Sequence, residues 1–126
     1  MAFSNYLSNE ILDHVFSGNA FTAPSNYYVA LYTVSPTASG GGTEVTGGGY
    51  VRKTATFTTS ATQSTNQSAI EFPTASASYG TVLAAAVLDA SSGGNLLAFA
   101  NLTAAKTIGI GDVLRIPAND LDINLA

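Results

Sequence analysis

Residues 80–89, GTVLAAAVLD, form an unbroken apolar run with Gly80 at its head and Gly93-Gly94 shortly beyond its end. Alanine content alone would allow a helix. Glycines on both flanks instead favour a strand that leads into a hairpin, and a run apolar at every position suits a central strand covered on both faces. Such a strand needs neighbours. Residues 27–33 (YYVALYT) supply one, with Tyr27, Val29 and Leu31 alternating against Tyr28, Ala30 and Tyr32. Residues 50–58 (YVRKTATFT) supply another, placing Val51, Lys53, Ala55 and Phe57 opposite Tyr50, Arg52, Thr54, Thr56 and Thr58. Shorter strands are read at residues 69–72, closed by Pro73, and at 96–100, 105–110, 113–116 and 121–125. Turn residues recur every eight to twelve positions, the pattern of an all-β sandwich or barrel.

The expected fold is therefore mainly β: a single antiparallel β-sandwich of about eight strands, jelly-roll-like, spanning residues 1–126 as one domain. One N-terminal α-helix opens that domain, over residues 4–17. Leu7, Ile11 and Val15 recur at steps of four, and Phe3, Leu12 and Phe16 widen the apolar stripe. Ser4 is the expected N-cap, Glu10 and Asp13 lie nearer the start than the end, and Gly18 stands where a left-handed cap belongs. A helix this short is marginal alone in water, so its stripe is expected to dock on its own sheet or on a neighbouring subunit. Two stretches read as loops: residues 35–49, with Pro36 and the run GGGTEVTGGG, and residues 60–68, SATQSTNQS, polar without period.

Composition narrows the function. Only 10% of the 126 residues are charged, against roughly 25% in an ordinary soluble domain, and the formal net charge is −4. Four scattered cations (Arg52, Lys53, Lys106, Arg115) cannot make the basic face that phosphate contacts require, so no nucleic-acid partner is expected. No signal peptide and no membrane-spanning run is read. Cysteine is absent, which removes disulfides, thiolate metal sites and thiol nucleophiles.

Catalytic constellations are sparse. The glycine-rich run lacks the lysine of a phosphate-binding loop and does not lie between a strand and a helix. His14, the single histidine, reads as a helix-surface residue. Asp120 and Asp122, two apart on an expected strand, point one way but have no third acidic ligand beside them. No catalytic, cofactor-binding or metal-ligating residue is assigned. One cation of the Arg52–Lys53 pair is expected to snorkel or to meet a carboxylate within the chain. Six tyrosines (Tyr6, Tyr27, Tyr28, Tyr32, Tyr50, Tyr79) combine contact area with a hydroxyl that tolerates water, a combination enriched at interfaces. The interface candidates are Leu7, Ile11 and Phe16 on the helix, Tyr27, Tyr28 and Tyr50 on strands, and Pro36, Gly42 and Glu44 in the loop, which is expected to drape over a neighbour.

Several stretches carry a family resemblance over nearly the whole chain: SNYLSNEILDHVFSGNAFTAPSNYYVALYTVSPT, GTEVTGGGYVRKTATF, IEFPTASASYGTV and LDASSGGNLLAFANLTAAKTIGIGDVLRIPANDLDINL. The most specific are the opening helix with NxxLDHxFxG, the YxALYT strand and the closing GDxLxxPxxxLxI. Together they resemble small structural proteins of tailed bacteriophages and prophages, often labelled tail fibre proteins. The resemblance implies a virion component, made in the host cytoplasm, without enzymatic activity or cofactor. Composition and resemblance together lead to the expectation of a capsid-decorating cement subunit, a homo-oligomer expected to be a trimer, that binds the major capsid protein or other virion proteins through many weak copies. A tail-fibre or tail-tip subunit that touches host receptors is the alternative. A carbohydrate-binding β-sandwich, with Tyr27, Tyr50 or Tyr79 as a stacking platform, is the reading from another class.

Overall fold

A computed structural model describes residues 1–125. Its elements are, in chain order, β1 (Ala2–Phe3), α1 (Asn5–Phe16), β2 (Tyr27–Val34), β3 (Thr43–Glu44), β4 (Lys53–Ala55), β5 (Phe57–Ser60), β6 (Gln63–Asn66), β7 (Ile70–Glu71), β8 (Gly80–Leu88), β9 (Leu96–Ile108), β10 (Arg115–Ile116) and β11 (Asp122–Asn124). The chain is mainly β with antiparallel pairing throughout and one N-terminal helix, as the periodicities require.

The apolar run at 80–88 is the central strand. β8 lies between β9 and β2 in a sheet of order β1-β9-β8-β2-β3, with β4 also paired to β2. Val29 faces Val87, Ala30 faces Ala86 and Leu31 faces Ala85 across the β2–β8 ladder. Because side chains alternate across a strand, Val29, Leu31, Ala85 and Val87 enter the main core, while Ala30, Tyr32, Ala84, Ala86 and Leu88 form a second cluster on the opposite face. Val82 joins the main core as well, so the alternation slips at Leu83, which is left exposed.

Across the main core lie two small sheets, β11-β6-β5 and β10-β7, which contribute Phe72, Ile70, Leu114, Ile116 and Leu121 from their strands and connections. Phe72 is 1% exposed and stacks on Tyr50 at 6.1 Å between ring centroids; Tyr79 meets Tyr50 edge-on at 5.7 Å. These three rings fill the interior with offset and edge geometries that suit aromatic quadrupoles.

The expected strand at 50–58 is interrupted. β4 pairs with β2 and β5 pairs with β6, so the chain changes sheets at Thr56 and an unbroken ladder is impossible there. Tyr50 lies before β4, outside any strand. The two strands read at 96–100 and 105–110 are one, β9. Ala84 faces Asn101 and Val82 faces Lys106, so residues 102–105 stand opposite Leu83 alone and shift the register of the ladder without ending the strand. The polar stretch 60–68 contains β6, whose hairpin with β5 turns through Ala61 at φ 53°. Asn66 ends that strand fully buried and explains why it holds. Its amide nitrogen donates to Ser68 O and Pro117 O, and its Oδ1 accepts from the backbone of Asp120 and Leu121. Strands therefore number eleven among the described residues, against the eight expected. Asp122 lies in β11 but Asp120 sits in the preceding turn, which undoes the shared strand face expected of them.

The helix forms as its caps dictate. Ser4 Oγ accepts from Leu7 N–H, the Ser4 N–H donates to Leu97 O, and Gly18 takes φ +73° just beyond Ser17. No acidic side chain stands in the first turn, because Glu10 and Asp13 fall in the middle and later turns. Only the first turn reaches the core: Tyr6 and Leu7 pack on it, whereas no helical residue is buried. No helix of the described residues is long and apolar enough to cross a membrane.

Candidate interaction surface

Three charged residues, Glu44, Arg52 and Lys53, are the whole ionic content of residues 15–70. Two of them meet. Arg52 Nη2 lies 2.8 Å from Glu44 Oε1 and Nε 2.9 Å from Oε2, a two-point pair in which both side chains are mostly shielded from water. The Tyr50 hydroxyl donates to Glu44 Oε2 at 2.7 Å and accepts from the Leu31 N–H at 2.9 Å. Arg52 Nη1 donates to Ala90 O and Gly93 O, so one guanidinium joins β3, the segment before β4 and the turn after β8.

Burial pushes the Glu44 carboxyl up, but hydrogen bonds from Arg52 and Tyr50 outweigh it and hold the group below its ordinary value. Burial, with the hydrogen bond to Glu44, raises the Tyr50 phenol well above its usual range. The hydrogen bond to Glu44 raises Arg52 further, against the effect of its own burial. The pair expected within the chain for Arg52 or Lys53 is thus Arg52 with Glu44. Glu44 and Tyr50, both read as interface candidates, hold the fold together from within.

The loop expected to cover a neighbour lies over its own sheet. Pro36 is buried, Ser35 Oγ donates to Asn101 Oδ1, and Thr37 and Gly40 exchange backbone hydrogen bonds. The Asn5 N–H donates to Ala38 O and Asn5 Nδ2 to Ser39 Oγ, tying the loop to the start of α1. Gly42 closes it at φ +75°, where a Cβ would lie 2.6 Å from Val34 O and 2.8 Å from Pro36 N. Only glycine fits that turn.

The helix presents the opposite picture. Leu12, Val15 and Phe16 are 55%, 60% and 80% exposed, while Leu7 and Ile11 are half-buried. His14 is exposed, and its Nδ1 accepts from the Phe21 N–H, folding the following chain back beside the helix. Tyr27 is half-buried edge-on to Phe57 at 5.9 Å, and Tyr28 is half-buried on the second face of the main sheet. Tyr79 is 4% exposed with its hydroxyl donating to Pro73 O, so a stacking platform that includes it does not exist. Among the described residues no group of three His, Cys, Asp or Glu is gathered as a metal site.

Sequence reasoning missed a cleft. Tyr32, Leu88, Arg52, Asn95, Asn5 and the loop at 38–41 enclose about 430 Å3 between the glycine-rich strap, the turn after β8 and the start of α1. The two glycine-containing loops that frame it were visible, but nothing in the one-dimensional pattern says that they meet.

These features define a class: a weakly charged antiparallel β-sandwich with three exposed apolar side chains together on its helix. Within that class, the chain belongs to the Podophage GP4 fiber I protein gp80 family, whose profile matches residues 2–124. It is a small fibre-type structural protein of a tailed bacteriophage and, as such, a virion component. No curated protein matches the chain.

Proposed function

We propose that this chain is a non-enzymatic subunit of the tail-fibre apparatus, folded as one domain, which associates with copies of itself through the outer stripe of α1. The family match over residues 2–124 carries the fibre reading and favours it over the head-decorating subunit expected from composition. The stripe supports the self-association. Leu12, Val15 and Phe16 are exposed together, and large apolar side chains grouped on a surface are characteristic of contact sites. Weak contacts repeated in a symmetric oligomer gain strength from effective concentration, and the trimer expected from the sequence is one closed form that such contacts can build. Neighbouring virion proteins are the further partners, with no nucleic acid among them.

Copy number tests the location. Quantitative densitometry of purified particles returns a handful to a few dozen copies for a fibre component and hundreds for a head-decorating one. Gold-labelled antibody against the chain places the same subunit by imaging, and label spread over the head shell would overturn the fibre reading.

A further inference from the structure

The cleft beside Tyr32 contains an unused donor. Tyr32 is 6% exposed, and what remains of its surface lines the cleft. The hydroxyls of Tyr50 and Tyr79 are engaged by Glu44, Leu31 and Pro73, whereas that of Tyr32 bonds to no described residue. It is also not sealed from solvent, unlike Thr65 Oγ1, which is buried without a partner. A phenol that is nearly enclosed, yet open to a cavity and unpaired, loses a hydrogen bond unless something in the cavity supplies it.

The rest of the lining has the same character. Arg52 has five N–H groups, of which four are used, leaving one on Nη2. The amide nitrogens of Asn5 and Asn95 donate to Ser39 and Asp89, while their Oδ1 atoms take no hydrogen bond among the described residues. Leu88 and the Tyr6 ring add apolar surface. Free donors and free acceptors therefore both line a small space with a partly apolar wall. The Arg52 charge is already matched by Glu44 at 2.8 Å, so the cleft offers no uncompensated cation to an anion.

We propose that this cleft binds one ring of a neutral saccharide. Sugar hydroxyls are donors and acceptors at once, which answers Tyr32, Arg52, Asn5 and Asn95 together, and the C–H face of the ring lies against Leu88 and Tyr6. The volume of about 430 Å3 falls within the range of small-ligand pockets. The inference goes beyond the fibre assignment and does not depend on where the subunit sits in the particle.

The test uses the full chain labelled with 15N and titrated with D-glucose, D-galactose and N-acetyl-D-glucosamine at millimolar concentrations, with D-glucuronate as the anionic comparator. The expected result is saturable movement of amide signals at Asn5, Tyr6, 38–41 and 93–96 with at least one neutral sugar. Tyr32→Phe removes a hydroxyl that has no partner in the fold, so the variant keeps its spectrum, and its affinity falls about three- to tenfold. Tyr28→Phe, outside the cleft, leaves binding unchanged. The proposal is overturned by the absence of saturable shifts with all three neutral sugars, by equal affinity in Tyr32→Phe, by preference for glucuronate, or by shifts confined to the Tyr27 or Tyr50 regions. Particle copy number is unaffected by any of these outcomes, so the two readings fail separately.

Discussion

Glu44 and Arg52, eight residues apart on either side of the second glycine triplet, close on each other at 2.8 and 2.9 Å and leave no other ion pair within 4.0 Å among the described residues. The chain spends one of its four cations on this clip. Removing Arg52 leaves the Glu44 carboxylate in a shielded site and strips Ala90 O and Gly93 O of their donor. Arg52→Ala is expected to cost about 2–4 kcal/mol of folding stability, between surface and fully buried pairs. Arg52→Lys recovers little, because an ammonium cannot serve two carboxylate oxygens and two carbonyls in one plane. Urea denaturation of the three proteins measures both effects.

The same carboxyl sets an acid limit. Its folded pKa lies below its ordinary value of 4.5, so the ionised form adds stability that is fully present above 4.5 and is lost as pH falls through the folded value. Urea midpoints are expected to fall below pH 4.5. Glu44→Gln, weaker at neutral pH, should show a shallower fall. Parallel slopes in the two proteins would contradict the assignment.

Asn66 joins the end of β6 to the loop before β11 with four hydrogen bonds and no exposed surface. Truncation removes a partner from two backbone N–H groups and two carbonyls; the Leu121 N–H is left buried and unpaired, while the Asp120 N–H keeps its 3.3 Å bond to Pro117 O. Asn66→Ala is expected to destabilise by about 1–3 kcal/mol, the cost of the one fully buried N–H left unsatisfied. Calorimetric melting detects a loss of that size.

Two glycines of the strap separate backbone strain from steric overlap. Gly41 has φ +76° with open space around it, while Gly42 has φ +75° with Val34 O and Pro36 in the way. Gly41→Ala is expected to cost about 1 kcal/mol, the left-handed penalty alone. Gly42→Ala costs more than twice that, since backbone atoms must also shift. Equal losses in denaturant unfolding would show that the strap gives way freely.

The outer helix stripe divides stability from assembly. Phe16 is 80% exposed and makes no core contact, so Phe16→Ser changes folding stability by less than about 0.5 kcal/mol. Light scattering after size exclusion should nevertheless show a smaller species than the parent chain, and the variant should be depleted from assembled particles. Unchanged mass and unchanged incorporation would remove α1 from the interface.

Sequence periodicity located β8, β2 and α1 because each is governed by neighbours in the chain: an apolar run between glycines, a period of two, a period near four with Ser4 and Gly18 at its ends. Adjacent cations on a strand face opposite ways, so it also pointed to one of Arg52 and Lys53 snorkelling or meeting a carboxylate, without saying that the carboxylate is Glu44. Periodicity failed where the decision belonged to a distant partner. Thr56 reads like its strand neighbours, yet the chain changes sheets there because β2 holds one side and β6 the other. Residues 63–66 look like a polar loop, and they become a strand because β5, β11 and the Asn66 latch satisfy their backbone.

By itself, then, the order of residues determined the local conformations, the mainly antiparallel β class and the scarcity of charge, all of which depend on interactions spanning a few positions. Tertiary structure decided which polar groups are consumed and which are left over. Tyr50 and Tyr32 have the same chemistry. One phenol is consumed by Glu44 and Leu31 inside the core; the other is left facing a cleft formed by loops dozens of residues apart, and only closure of the sheets brings those loops together.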